Sequence, residues 1–239
     1  MPNPGDADPV AAADPYAVLA PVYDAWTGWF ADAAALRLAP MLARRGTQSF
    51  LDVACGTGRL LHVLRAGDRG MRLCGVDASP AMLAEARRRP NADGSITWRR
   101  GSMDGPLPEG PWDATGCFFD AVNHLPDDGA VLRAFCAARA ALRDGGAYLL
   151  DTCDEGAFKP GRESYSGVGW SLRIRQRWDG RAMVAGCTVM HDGGKASCNV
   201  VERPLPPARV RALLQEAGFA VEAEEPDRSG GRTWWMAVR

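Results

Sequence analysis

With 239 residues, 46% of them apolar, the chain is long enough for one sizeable α/β domain or a domain with a small insertion. Its net charge of −1, with acids and bases interspersed, leaves no electrostatic footprint for nucleic acid. Seven cysteines without a CxxC pair argue against a disulfide framework or a zinc site, and so for a reducing cytoplasm and no metal requirement.

Residues 1–14, rich in Pro, Ala, Asp and Gly, read as a frayed leader. They lack the basic and apolar segments of a signal peptide, and no later run approaches the roughly 20 apolar residues of a membrane span. Over 16–42, apolar and aromatic residues at helical spacing (Tyr16, Leu19, Tyr23, Trp26, Phe30, Leu38) predict one or two helices, broken near Gly28. Residues 50–53 form the short apolar run of a buried strand. Gly56 and Gly58 then allow a turn free of side chains, and Leu60, Leu61 and Leu64 open a helix. A second strand at 71–76 ends at Asp77. Ser79 suits an N-cap and Pro80 the first position of a helix over 80–89. Strands follow at 96–100 and 112–119, then a helix near 128–142 stopped by the Asp-Gly-Gly turn at 144–146, then a fifth strand at 147–151. This alternation implies a parallel, doubly wound sheet. The rhythm changes near 156, where 170–178, 182–191 and 195–202 read as three antiparallel strands joined by Asp-Gly and Asp-Gly-Gly turns. A helix over 207–217, capped by Gly218, and a hairpin of 219–224 with 233–238 complete the sheet.

A glycine turn at a helix N-terminus brings backbone N–H groups up to an anionic group, and Asp77 stands where an acid takes ribose hydroxyls. A dinucleotide fingerprint wants Gly or Ala three residues after its second glycine, and Leu61 occupies that position. Asp52 lies just ahead of the turn, where it can hold a cationic amine. Here the chain resembles the class I S-adenosylmethionine (SAM) methyltransferases, whose first motif runs acid-x-G-x-G-x-G, with Ala54 in place of the first glycine. The resemblance covers residues 48–151 closely and 205–239 more loosely. It implies a Rossmann-like α/β fold: a doubly wound, mostly parallel seven-stranded sheet with a helical N-terminal lid and an antiparallel β insertion. The expected division is a leader (1–14), a SAM-binding domain (15–155 and 205–239) and an insertion over the acceptor site (156–204).

Carried over residue by residue, the resemblance implies that Asp52 and the backbone of Ala54, Cys55, Gly56 and Gly58 hold the methionine portion of SAM. Asp77 would bind the ribose, while Ala78 and Met82 pack against adenine. Ser102, Met103 and Asp104 form the segment whose acid meets the adenine amino group. Cys117 and Phe118 would line the sulfonium, the stretch at 120–124 would face the acceptor, and Tyr16 and Tyr23 would close the lid.

An activated methyl asks the protein mainly to align a nucleophile and exclude water. An amine acceptor need only be neutral, whereas a hydroxyl needs a general base. His124, at the carboxyl edge of the fourth strand, is therefore a candidate for acceptor contact, with Asp120 and Tyr23. His62 reads as structural or solvated, and His191 as the end of an insertion strand beside a turn. Arg173, Arg175 and Arg177 share one strand face, which suits either an anion clamp or solvent. The residues leave nitrogen, oxygen and carbon acceptors open; resemblance to the glycine and amino-sugar N-methyltransferases favours nitrogen on a small molecule. An RNA or protein methyltransferase would call for a basic face or an Asn/Asp-Pro-Pro-aromatic motif, where this chain has Phe119-Asp-Ala-Val-Asn123. A non-catalytic SAM-binding relative is the remaining alternative. The insertion would roof the acceptor pocket or build a contact in a homo-oligomer, with no nucleic acid or membrane partner.

Overall fold

The computed structural model describes residues 14–68, 70–90, 94–228 and 230–239. The expected leader lies outside these residues except for Asp14. Asp14 caps helix α1 (Pro15–Leu19), accepting the Tyr16 N–H at 3.0 Å, and also accepts the Ser79 hydroxyl at 2.7 Å. The break expected near Gly28 falls instead at residues 20–22, around Pro21. Helix α2 (Tyr23–Arg44) runs straight through Gly28. That glycine serves close approach, since a Cβ would stand 3.1 Å from the Arg59 side chain.

Strands β1 (Ser49–Val53), β2 (Arg72–Asp77), β3 (Ile96–Arg100), β4 (Trp112–Cys117) and β5 (Leu142–Cys153) lie parallel. Helices α3 (Arg59–Gly67), α4 (Pro80–Arg88) and α5 (Asp128–Ala141) connect them, with a 3-10 turn at Ala121–His124. After four further strands, α6 (Pro207–Glu216) leads to the antiparallel hairpin β10 (Ala220–Pro226) and β11 (Arg232–Val238). The sheet order is β10-β11-β5-β4-β1-β2-β3, the doubly wound, mostly parallel seven-stranded sheet that the motifs imply. Every residue of β1 is buried, as a central strand covered on both faces requires. Phe135, Leu213 and Leu214 of α5 and α6 pack on one side; Leu38, Leu42, Leu61 and Leu64 of α2 and α3 pack on the other. Because the chain leaves β3 and returns beside β1 as β4, the carboxyl ends of β1 and β4 diverge into a crevice.

Two elements differ from expectation. The Asp-Gly-Gly at 144–146 lies inside β5 rather than ahead of it. Leu142 already pairs with Trp112, and Gly145, at φ +70°, sends its N–H to the Arg239 carbonyl at 3.1 Å. The inserted sheet has four strands, β6 (Gly161–Gly167), β7 (Trp170–Trp178), β8 (Met183–His191) and β9 (Gly194–Glu202), paired in that order. The extra strand β6 is exposed at every position, so no apolar alternation marks it. The inner face of this sheet, through Leu172, Ile174, Val189 and Val200, closes on Leu19 and Val22. The first helical segment and the insertion therefore share a core. All seven cysteines are free, and no helix among the described residues is long and apolar enough to cross a membrane.

Candidate active site

A cleft of about 390 Å³ opens at the carboxyl ends of β1, β2 and β4, roofed by α1 and the first turns of α2. At one end Asp77 joins two loops. Its Oδ2 accepts the Gly56 N–H and its Oδ1 the Ser79 N–H, both at 2.8 Å. Burial raises its carboxyl above the ordinary range, against the pull of those two donors. Asp52, only 3% exposed, lines the same cleft, and its carboxylate has neither a hydrogen bond nor an ion pair among the described residues. Burial first, then the neighbouring Asp77, raise it well above the usual carboxylate range. An isolated buried acid is costly unless a ligand cation or donor meets it. Ala54 (φ +59°) and Gly56 (φ +55°) make the left-handed turn between the two acids. Ser79 caps α4 through the Met82 N–H at 3.2 Å, which seats Met82 in the cleft wall beside Ala78.

Three side-chain ties fix α2 over this end. Thr57 donates to Asp24 Oδ1 at 2.6 Å, Arg89 pairs with the other oxygen of Asp24, and Arg59 grips Asp32 with two bonds at 2.7 and 2.6 Å. These partners are far apart in sequence, and no motif announces them.

The other end is built around consecutive left-handed residues, Phe119 (φ +59°) and Asp120 (φ +49°). Such conformations cost about 1–3 kcal/mol each for residues with a Cβ unless the surroundings impose them. Asp151 imposes them. Fully buried, it accepts the Phe119 N–H at 2.6 Å and the Asp120 N–H at 3.0 Å, and it pairs with Arg232. Burial pushes the Asp151 carboxyl up to about 6, opposed by Arg232 and the two N–H donors. The turn aims the Phe119 ring at Phe30, stacked at 4.4 Å, and edge-on at Tyr23. One residue before His124, Asn123 locks the 3-10 turn. Its amide donates to the carbonyls of Cys153 (2.6 Å) and Arg203 (2.7 Å), and its oxygen accepts the Cys153 N–H at 3.0 Å.

His124 Nδ1 stands 2.9 Å from the Val201 carbonyl. A carbonyl can only accept, so Nδ1 carries the proton and Nε2 offers its lone pair in the neutral ring. That lone pair accepts the Tyr16 hydroxyl at 2.8 Å. Burial, then Tyr23 and Glu202, raise the Tyr16 phenol well above its ordinary value, which keeps it a donor at neutral pH.

Of the residues expected at the site, Tyr16, Tyr23, Asp52, Ala54, Cys55, Gly56, Asp77, Ala78, Met82, Ser102, Met103, Phe118 and His124 line this single cleft. Four others do not. Gly58 is the left-handed N-cap of α3, left bare because a Cβ would stand 2.3 Å from the Trp98 ring. Asp104 turns outward to Ser102 Oγ (2.5 Å) and Arg133 (3.2 Å). Cys117 points into the core as the pleat alternates, leaving Phe118 on the wall. Asp120 turns to Arg232, 3.3 Å away. His62 sits outside the cleft against the Ala86 carbonyl, and His191 pairs with Asp192. Arg173, Arg175 and Arg177 are exposed and do not line the cleft. Sequence reasoning passed over Asp151, Glu202 and Arg232. Asp151 carried a readable signal, since it ends the predicted fifth strand as Asp77 ends the second.

Residues 50–146 match the model of a methyltransferase domain. The fold as a whole is shared with solved methyltransferase structures. A SAM-dependent methyltransferase from Clostridium acetobutylicum superposes with a TM-score of 0.80 at 16% identity, over 94% of this chain and 99% of that one. The sugar N-methyltransferase KedS8 from Streptoalloteichus gives a TM-score of 0.76 at 23% identity, over 100% and 98%. In sequence, the glycine/sarcosine N-methyltransferase of Parasynechococcus marenigrum is 28% identical over 191 residues, 75% of this chain and 65% of that protein. The chain spans about half the length of other curated methyltransferases that match the domain.

Proposed function

We propose that this protein is a SAM-dependent methyltransferase acting on the nitrogen of a small-molecule amine. The observation that carries the reading is the pairing, within one cleft, of buried Asp52 and half-buried Asp77 around a left-handed turn with His124, whose Nδ1 is tied to a backbone carbonyl and whose Nε2 meets the Tyr16 hydroxyl. When bound, SAM supplies a methyl group activated by its sulfonium.

Each residue has a part in this reading. Asp52, which lacks a partner of its own, takes the cationic amine of the methionine portion, and Asp77 has lone pairs left for ribose hydroxyls after its two backbone bonds. Ala78, Met82, Ser102 and Met103 form the adenine wall. Tyr16, Tyr23 and Phe119 cover the reacting centre with aromatic faces, which exclude water and suit a cation. His124 accepts the proton that the acceptor gives up. Nitrogen is favoured by the amine-methylating activities in the names of the sugar N-methyltransferase neighbour and the glycine/sarcosine relative. In this division residues 15–155 and 205–239 bind SAM, and 156–204 closes the acceptor side.

Titrating SAM into the protein by calorimetry should show one tight site. A mass screen with amine and hydroxyl acceptors should then find one added methyl, on an amine. NAD binding with no response to SAM overturns the reading; methyl found only on hydroxyl acceptors overturns its nitrogen.

A further inference from the structure

The inserted sheet reaches His124 twice at the end of β9. The Val201 carbonyl fixes the ring's tautomer, and the next residue, Glu202, brings Oε1 to 3.8 Å from Nε2. Other titratable groups surround this cluster: Tyr16 from α1, Tyr23 from α2, Asp77 at the end of β2, Asp120 after β4 and Arg232 on β11. Most already have an assignment. Asp77 is held by two backbone donors, Asp120 by Arg232, and burial keeps both tyrosines protonated. Glu202 is different. Among the described residues its carboxylate makes no hydrogen bond, and His124 is its one basic neighbour within ion-pair distance.

We propose that Glu202 is the counter-charge that lets His124 take the acceptor's proton, which makes the inserted sheet part of the catalytic apparatus. The inference rests on the amine-methylation reading above. The acceptor arrives as an ammonium ion, displaces the Tyr16 hydroxyl from the His124 Nε2 lone pair and gives that lone pair one N–H proton. The imidazolium so formed pairs with the Glu202 carboxylate, and the proton leaves to water on turnover. The freed nitrogen lone pair forms the new N–C bond while the methyl's C–S bond breaks, its electrons staying on sulfur. Burial, with Asp120 adding and Arg232 opposing, pushes the Glu202 carboxyl up to about 8, so its ionised form is favoured chiefly beside a cation. Glu202 is thus a positioning residue, acting through His124.

The test reads His124 directly. The chain has three histidines, whose imidazole resonances in proton NMR of the full protein can be assigned with His124→Gln and the matching variants at 62 and 191. Glu202→Gln should lower the His124 midpoint by about one pH unit or more, a tenfold change in protonation, because an opposite charge within about 4–6 Å has been removed. His62 and His191 should keep their midpoints, which also reports that the variant is folded. Glu202→Asp, which retains the charge, should recover part of the shift. In turnover, the acid limb of kcat/KM against pH should move down by the same amount with the SAM KM unchanged. An unmoved His124 midpoint in Glu202→Gln, or in Glu202→Asp and Glu202→Gln alike, overturns the proposal. If SAM fails to bind while the His124–Glu202 coupling persists in NMR, the methyl-transfer reading falls instead.

Discussion

The two ends of the cleft are assembled in opposite ways. The end around Asp52 and Asp77 comes from three short segments, 52–58, 77–82 and 101–103, each placed by the strand that precedes it. The end around His124 draws on Tyr16, the 119–124 turn, Asp151, the 201–203 segment and Arg232, joined by bonds that span up to 108 residues. A site made of strand ends inherits its geometry from the sheet. A site made of distant side chains needs a dedicated buried network, here Asp151–Arg232 with Asn123, and it is correspondingly more sensitive to change.

The sharpest way to break that contrast is to remove the clamp. Asp151→Asn leaves Arg232 with Asp120 as its remaining carboxylate partner and one of the two turn N–H donors without an acceptor. We expect a loss of about 3 kcal/mol in denaturant unfolding, at the low end for a broken buried pair because Arg232 keeps some solvent contact. Arg232→Met should cost a similar amount, and the double variant clearly less than the sum, since each change alone strands the other member of the pair. Additive losses would mean that the two residues do not act as one unit. At the other end, no single polar substitution should destabilise the fold as much.

The next effect in size is on turnover. His124→Ala should lower kcat about ten- to a hundredfold, the low end of general-base contributions, since an amine needs only one proton removed. SAM affinity should change little. A wild-type rate would move proton transfer to another group.

What could be read from the sequence follows the same division. Asp52, Gly56 and Asp77 were legible because a buried strand, a glycine turn and a terminal acid lie within a few residues of one another. His124 was legible by its place after the fourth strand. Asp120 was legible too, but its partner was not, because no local pattern reveals that Arg232, more than 100 positions later, faces it across the sheet. Glu202 was invisible for a related reason. It ends an inserted strand of alternating residues, and only the packing of that sheet on Leu19 and Val22 brings the end of β9 to His124. Gly28 shows the converse error. A glycine within a helical pattern suggests a break, yet here it makes room for Arg59.

Affinity for SAM should isolate the cofactor end. A carboxylate accepting hydroxyl hydrogen bonds contributes about 1.5–3 kcal/mol for each charge-assisted bond. Asp77→Ala should therefore weaken SAM binding at least tenfold by calorimetry. It also frees the Gly56 and Ser79 N–H groups, but both lie in loops next to the open cleft, so the melting temperature should fall less than for Asp151→Asn. Undiminished SAM affinity in a folded Asp77→Ala protein would remove Asp77 from the cofactor site.

The smallest effect tests whether the cofactor end is as local as it looks. Ser79 accepts the Met82 N–H as the cap of α4 and donates to Asp14, which itself caps α1. Ser79→Ala should cost about 1 kcal/mol of stability, the usual loss for an N-cap. Ser79→Asp can restore the cap and most of that stability, but it sets a third carboxylate beside Asp14 and Asp77 and cannot donate to Asp14. Stability should therefore recover in Ser79→Asp while SAM affinity does not. If both recover together, the Ser79–Asp14 bond does not hold the roof of the cleft, and α1 is kept in place by Leu19 and Val22 under the inserted sheet alone.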